Sequence, residues 1–158
     1  MANKFLRTDV VLENCEEHLR ATDTAGTEIE SYLTQYALIV FYTDIERELE
    51  ALIAARIEMS SDVALEGFVN WAYKRLLRSV KTSEIADLLH YFGADVKERF
   101  RARVSPEDAQ AYNNAIVGRH TVAHASGVNI TFSELKIAVD AGRRVLEVFA
   151  EELLREEA

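Results

Sequence analysis

Arg119, His120 and His124 form the one close grouping of a guanidinium with two imidazole side chains in the sequence, within IVGRHTVAH. A permanently charged fork beside two groups that titrate near neutrality suits phosphoryl transfer from an RNA 2′-hydroxyl. One histidine takes the hydroxyl proton or protonates the departing 5′-oxygen, while the arginine holds the phosphate and stabilises the charge it gains. Such cleavage needs no metal and no other cofactor. Two other readings use the same residues. His120 and His124 at i, i+4 have a usable zinc spacing, but Thr121 stands where HExxH has its glutamate, and only His18 and His90 remain as distant third ligands. Alternatively, the histidines are ordinary helix-end residues favoured by the negative end of the dipole.

The element that must position this group runs from Ser105 to His124. Ser105 reads as an N-cap, Pro106 stands at the first helical position, and Glu107 and Asp108 face the positive end of the dipole. At about 100° per residue, Arg119, His120 and His124 span an arc of about 140°. Asn113 shares the stripe of His120 and His124, while Ala111, Ala115, Gly118 and Val122 make a separate stripe of small side chains suited to close packing.

The stretch IVGRHTVAH, placed at a helix end and followed by a short loop and a capped final helix, resembles the signature of the HEPN superfamily, in the version of the bacterial RiboL-PSP-HEPN-like families. Arg119 matches the signature arginine, His120 its polar position and His124 its terminal histidine. Many members carry Gly directly after that histidine; this chain has Ala125 and Ser126 and reaches Gly127 later. The resemblance implies an all-α fold, a symmetric homodimer with the arginines and histidines of both subunits in one cleft, and metal-independent ribonuclease activity in a toxin-antitoxin, phage-defence or RNA-processing setting. An antitoxin or other regulatory protein is the partner this implies. It also implies an acidic residue from an earlier helix, for which Glu46 is the candidate. Other members of the superfamily are inactive dimerisation or binding modules, which supplies the alternative function.

Composition agrees with a compact helical protein. The 158 residues suit a single domain spanning 1–158, and 49% hydrophobic residues with one Pro and six Gly leave little turn punctuation for sheets. The sequence shows neither a membrane span nor a signal-peptide core, so it reads as cytoplasmic with no membrane partner. Cys15 is the sole cysteine, which rules out an intrachain disulfide and reads as a small buried residue.

A net charge of -9 argues against a protein that coats polyanions by overall basicity. Charge is unevenly distributed, however. From Trp71 to Val104 eight Lys and Arg face four Asp and Glu, a local net of +4, while DIERELE and EELLREEA are acidic. Lys74, Arg75, Arg78 and Lys81, with Arg101, are the candidate RNA-binding residues, since the first four follow one helical face. Pairing with acidic segments is the plainer account of the same charges. Trp71 and Tyr73 read first as core residues and second as stacking partners for a base, and DIERELE reads as a solvated helix face.

The other elements follow from periodicity and caps. A helix over 4–21 carries Leu6, Val10, Cys15 and Leu19. Thr27 and Glu30 form a capping box that opens a helix of about 30 residues, with Ile29, Leu33, Tyr36, Val40, Leu49, Leu52 and Ile57 as its apolar series. Residues 60–62 stop it and cap a segment with Val63, Phe68, Trp71 and Leu76. Thr82 and Ser83 start a short helix closed by Gly93, with His90 partly buried at its end and His18 on a solvated face. Phe92, Val96, Phe100 and Val104 continue into Ser105. Thr131 and Glu134 form a second capping box for a last helix buried through Leu135, Val139, Leu146, Phe149 and Leu153. The predicted architecture is an all-α antiparallel helical bundle with short connections.

Overall fold

The computed structural model describes residues 5–59, 63–77, 79–122 and 130–155, and for 63–66, 70, 74, 76 and 119–122 the backbone. Every regular element among them is helical: α1 (Leu6–Thr22), α2 (Glu28–Glu58), α3 (Val63–Leu76), α4 (Thr82–Leu89), a 3-10 turn (His90–Phe92), α5 (Ala94–Arg103), α6 (Pro106–Val122) and α7 (Phe132–Leu153). No helix among the described residues is long and apolar enough to cross a membrane.

The buried face of α1 is Thr8, Leu12, Cys15 and Leu19, with Phe5 just ahead of it. Leu6 and Val10, expected on that face, are exposed, because Phe5 rather than Leu6 begins the i, i+3, i+4 series that points inward. Burial pushes the Cys15 thiol above its ordinary pKa. The first turn of α1 is capped from outside the helix: Asp44 of α2 accepts from the Thr8 N–H at 3.0 Å and from the Thr8 hydroxyl at 2.8 Å, and Arg7 lies 3.5 Å from its other oxygen. DIERELE is therefore not a solvated face throughout. Asp44 is buried there, together with Ile45 and Leu49.

At the start of α2, Thr27 accepts from the Ile29 N–H, but Glu30 turns its carboxylate to the Gly26 N–H, so the expected reciprocal box is absent. Ala37, Leu38, Phe41, Ile45, Leu49 and Ile53 carry the burial of this helix. Ile29 and Tyr36 are exposed instead; apolar residues occupy more than one face between Tyr32 and Phe41, so periodicity alone does not choose the inner one.

Helix α7 holds the rest together. Its capping box is present in both directions, from the Glu134 N–H to Thr131 and from the Thr131 N–H to Glu134. Leu135, Val139, Leu146, Phe149 and Leu153 are buried as expected. Ion pairs Asp9–Arg143 and Glu16–Lys136 set α1 antiparallel to α7, and Asp108–Arg144 with the approach of Gly118 to Ile130 does the same for α6. Phe41 meets Phe5 and Tyr112 edge to face, at ring centroids 5.4 and 6.4 Å apart, which joins α1, α2 and α6 in one core. At the other end Glu152, nearly fully buried, receives Arg99 at 2.7 Å and Arg103 at 2.8 Å and locks α5 to α7.

In the middle of the chain, α3 buries Tyr73, whereas Phe68 and Trp71 are exposed, which reverses the expectation for Trp71. Burial and the Glu50 carboxylate hold the Tyr73 phenol well above its ordinary pKa. His90 is exposed at the start of the 3-10 turn rather than partly buried, and His18 is exposed as expected. Gly93 makes the following turn at φ +145°, where an added Cβ would lie 2.8 Å from Asp95 Oδ1. The cap expected at residues 60–62 lies outside the described residues.

Candidate active site

Helix α6 begins as its sequence dictates. Ser105 Oγ accepts from the Asp108 N–H at 3.0 Å, and Arg144 clamps the Asp108 carboxylate and draws its pKa below the usual range. The helix then runs through Arg119 and His120 in its last turn to Val122. The side chains of Arg119 and His120 are not described, and His124 and Arg78 lie outside the described residues.

Asn113 fixes the way α6 faces. Its Oδ1 accepts from the Thr82 N–H at 3.0 Å, and its Nδ2 donates to the Thr82 hydroxyl at 2.8 Å, so a side chain from α6 caps α4. One residue earlier, in the same contact, the buried Tyr112 hydroxyl donates to the Val80 carbonyl at 2.6 Å. Burial raises the Tyr112 phenol well above its ordinary pKa, so it stays a donor. Asn113 thus has a structural task that its place beside the histidines did not disclose; its partner lies 31 residues away. Seven residues on, position 120 lies within about 20° of Asn113 around the axis and about 10 Å further along it. The helix stripe of position 120 is therefore the one that, two turns earlier, meets the segment Val80–Thr82, which includes Lys81.

The neighbouring side of α6 is different. Ala111, Asn114, Val117 and Gly118 line a groove of about 380 Å³ against Ile130, Glu134 and Ile137 of the α7 side. Gly118 is about 200° from His120 around the helix, but Val117 is only about 60° from it, so the groove borders the face that carries His120. Gly118 does not mark the tightest packing: an added Cβ would meet Ile130 and Leu38 at 3.7 Å, an ordinary contact.

Glu46 is set apart from the end of α6. Along the helix, Tyr112 meets Phe41 and Gly118 approaches Leu38, so α6 advances toward the N-terminal half of α2. Glu46 lies eight residues beyond Leu38 in the other direction, about 12 Å of axial rise away.

The basic residues divide into two groups. Lys97 pairs with Asp87 at 2.7 Å, and Arg99 and Arg103 are spent on Glu152. Arg101 is half exposed and makes looser pairs, 3.5 Å to Glu98 and 3.9 Å to Asp87. Arg75 is exposed and lies over the Trp71 ring at 4.5 Å, and Lys81 is the residue before α4, partly buried. Lys74 is on α3, where its backbone alone is described. Among the described residues, no three His, Cys, Asp or Glu side chains converge as a metal site.

No protein-family model, curated protein or solved structure matches the chain.

Proposed function

We propose that the chain is a metal-independent endoribonuclease of the HEPN type, an antiparallel helical bundle that works as a two-fold homodimer in the cytoplasm. Its setting is toxin-antitoxin, defence or RNA-processing biology, with an antitoxin or similar regulator as partner. The observation that supports this reading best is the last turn of α6: it carries Arg119 and His120, and two turns earlier Asn113, on the same helical stripe as position 120, contacts Thr82 beside Lys81.

In this reading Arg119 binds the scissile phosphate and neutralises charge as the 2′-oxygen attacks. His124 acts as general acid or base, and His120 shares the proton transfer or orients the site. The proton leaves the 2′-hydroxyl for one imidazole, the P–O5′ bond breaks, and a second imidazole protonates the 5′-oxygen. Two-fold pairing supplies the second histidine and arginine.

The test is cleavage of a mixed RNA pool by the wild type and by His124→Ala with EDTA present. Cutting by the wild type alone, with 2′,3′-cyclic phosphate and 5′-hydroxyl ends, is the expected result. If neither protein cuts while both stay folded, the activity is absent and the chain is a module that dimerises and binds RNA, a nucleotide or a protein.

A further inference from the structure

Two large aromatic side chains stand in solvent on one face of α3: Phe68 is 62% and Trp71 56% exposed, while Tyr73, two residues on, is 7% exposed and carries the packing of this helix. Their rings lie 6.3 Å apart and tilted by 34°, and the Arg75 guanidinium sits 4.5 Å over the Trp71 ring. Positions 68, 71 and 75 are i, i+3 and i+7, so all three groups share a stripe. The core makes no use of them.

The chain around this stripe is chosen for an anion. Between Glu66 and Glu84 the sequence holds Lys74, Arg75, Arg78 and Lys81 and no acidic residue, in a protein whose net charge is -9. Exposed aromatic faces flanked by cations, on an otherwise acidic molecule, match a ligand that presents flat apolar surfaces along a phosphate backbone. Duplex RNA hides those surfaces by stacking; an unpaired strand displays them.

We infer that the Phe68–Trp71–Arg75 face of α3 is a stacking platform for unpaired bases of a single-stranded RNA. A base stacks on Trp71, and Arg75 shifts from the ring to a neighbouring phosphate. Base stacking outweighs an exposed cation–π contact, so the exchange is favourable. Helix α3 ends at Leu76, and its continuation reaches Val80 and Thr82, which Tyr112 and Asn113 hold against the His120 face of α6. A strand held on α3 is thereby led toward the end of α6. The inference rests on RNA as the ligand class of the proposed nuclease and adds that the strand is unpaired.

Trp71 is the only tryptophan, so its emission reports on this face alone. The experiment titrates the full-length His124→Ala protein with a short oligouridylate, with a blunt RNA duplex and with inorganic polyphosphate, alongside cleavage by the wild type. The expected result is saturable quenching by oligouridylate, little by duplex, and none by polyphosphate. Trp71→Ala, followed by anisotropy of labelled oligouridylate, binds roughly 10-fold more weakly with unchanged helicity. Equal quenching by polyphosphate overturns the platform in favour of a simple electrostatic patch. Emission that changes with protein concentration and no longer responds to oligouridylate overturns it in favour of a contact between two copies. Cleavage with unaltered Trp71 emission sinks the platform and leaves the nuclease standing; quenching without cleavage does the reverse.

Discussion

Asn113 of α6 and Thr82 of α4 hold each other through two hydrogen bonds, so the side chain that shares its helical stripe with His120 is the N-terminal cap of another helix. The pair couples the orientation of the proposed catalytic helix to the position of the basic segment that precedes α4.

Asn113→Ala removes both bonds and leaves the Thr82 N–H without its partner. We expect a loss of about 1–2 kcal/mol, read as a lower urea midpoint at constant slope. Asn113→Asp keeps the acceptor at a helix N-terminus and retains most of the stability. Because Lys81 is adjacent to Thr82, Asn113→Ala also weakens RNA binding more than an equally destabilising substitution far from α4.

The Thr8–Asp44 pair provides that remote comparison, with Thr8→Ala the equally destabilising substitution. Asp44 is buried and accepts two hydrogen bonds from Thr8, so Asp44→Ala strands a backbone donor and a hydroxyl together and costs about 2–3 kcal/mol. Thr8→Ala removes the hydroxyl but leaves the N–H bond in place, and costs about half as much. A double-mutant cycle in urea gives a coupling energy above about 0.5 kcal/mol if the two residues act as one cap. Additive losses would refute it.

Glu152 gives the acid limb of stability. Burial raises its pKa, but hydrogen bonds from Arg103 and Arg99 outweigh this and hold it below the ordinary glutamate value. A carboxylate with a depressed folded pKa contributes stability above its unfolded pKa, and that contribution is lost as pH falls through the folded one. Asp108, held low by Arg144, acts in the same sense. The melting temperature of the wild type should thus fall between pH ~5 and ~3. Glu152→Gln is less stable at pH ~7 and loses less on acidification, because one of the protonation steps is gone.

How far the sequence discloses these contacts depends on their range. The helix starts at Ser105 and Thr131 are local hydrogen bonds between residues three apart, and they are legible because the signal and the partner lie within one turn. The cap on α1 is not, since Asp44 lies 36 residues from Thr8 and looks like any other acid in DIERELE. Trp71 and Tyr73 are equally apolar on paper; only packing against α2 decides that Tyr73 turns inward. For the site, spacing within α6 assigns Arg119 and His120 to one helix end, but the direction in which α6 crosses α2, which sets how far Glu46 lies from Leu38 and Gly118, is a tertiary fact.

The same limit applies to the small residues, and two glycines test it. Gly118 belongs to the stripe Ala111, Ala115, Gly118 and Val122, which reads as the place of closest approach, yet a Cβ there makes only 3.7 Å contacts. At Gly142 of α7, which no stripe singles out, a Cβ would fall 2.7 Å from Phe41 Cζ and 3.3 Å from the Tyr112 ring, both fully buried and held edge to face. Gly118→Ala therefore reduces the freedom of the unfolded chain without a clash and gains about 0.5–1 kcal/mol. Gly142→Ala drives a methyl into rings that have no free rotamer and costs about 1–3 kcal/mol. Thermal unfolding of the two variants should move in opposite directions. Destabilisation by Gly118→Ala would mean that α6 packs more tightly near Arg119 than this geometry allows, and a neutral Gly142→Ala would mean that the Phe41–Tyr112 contact yields.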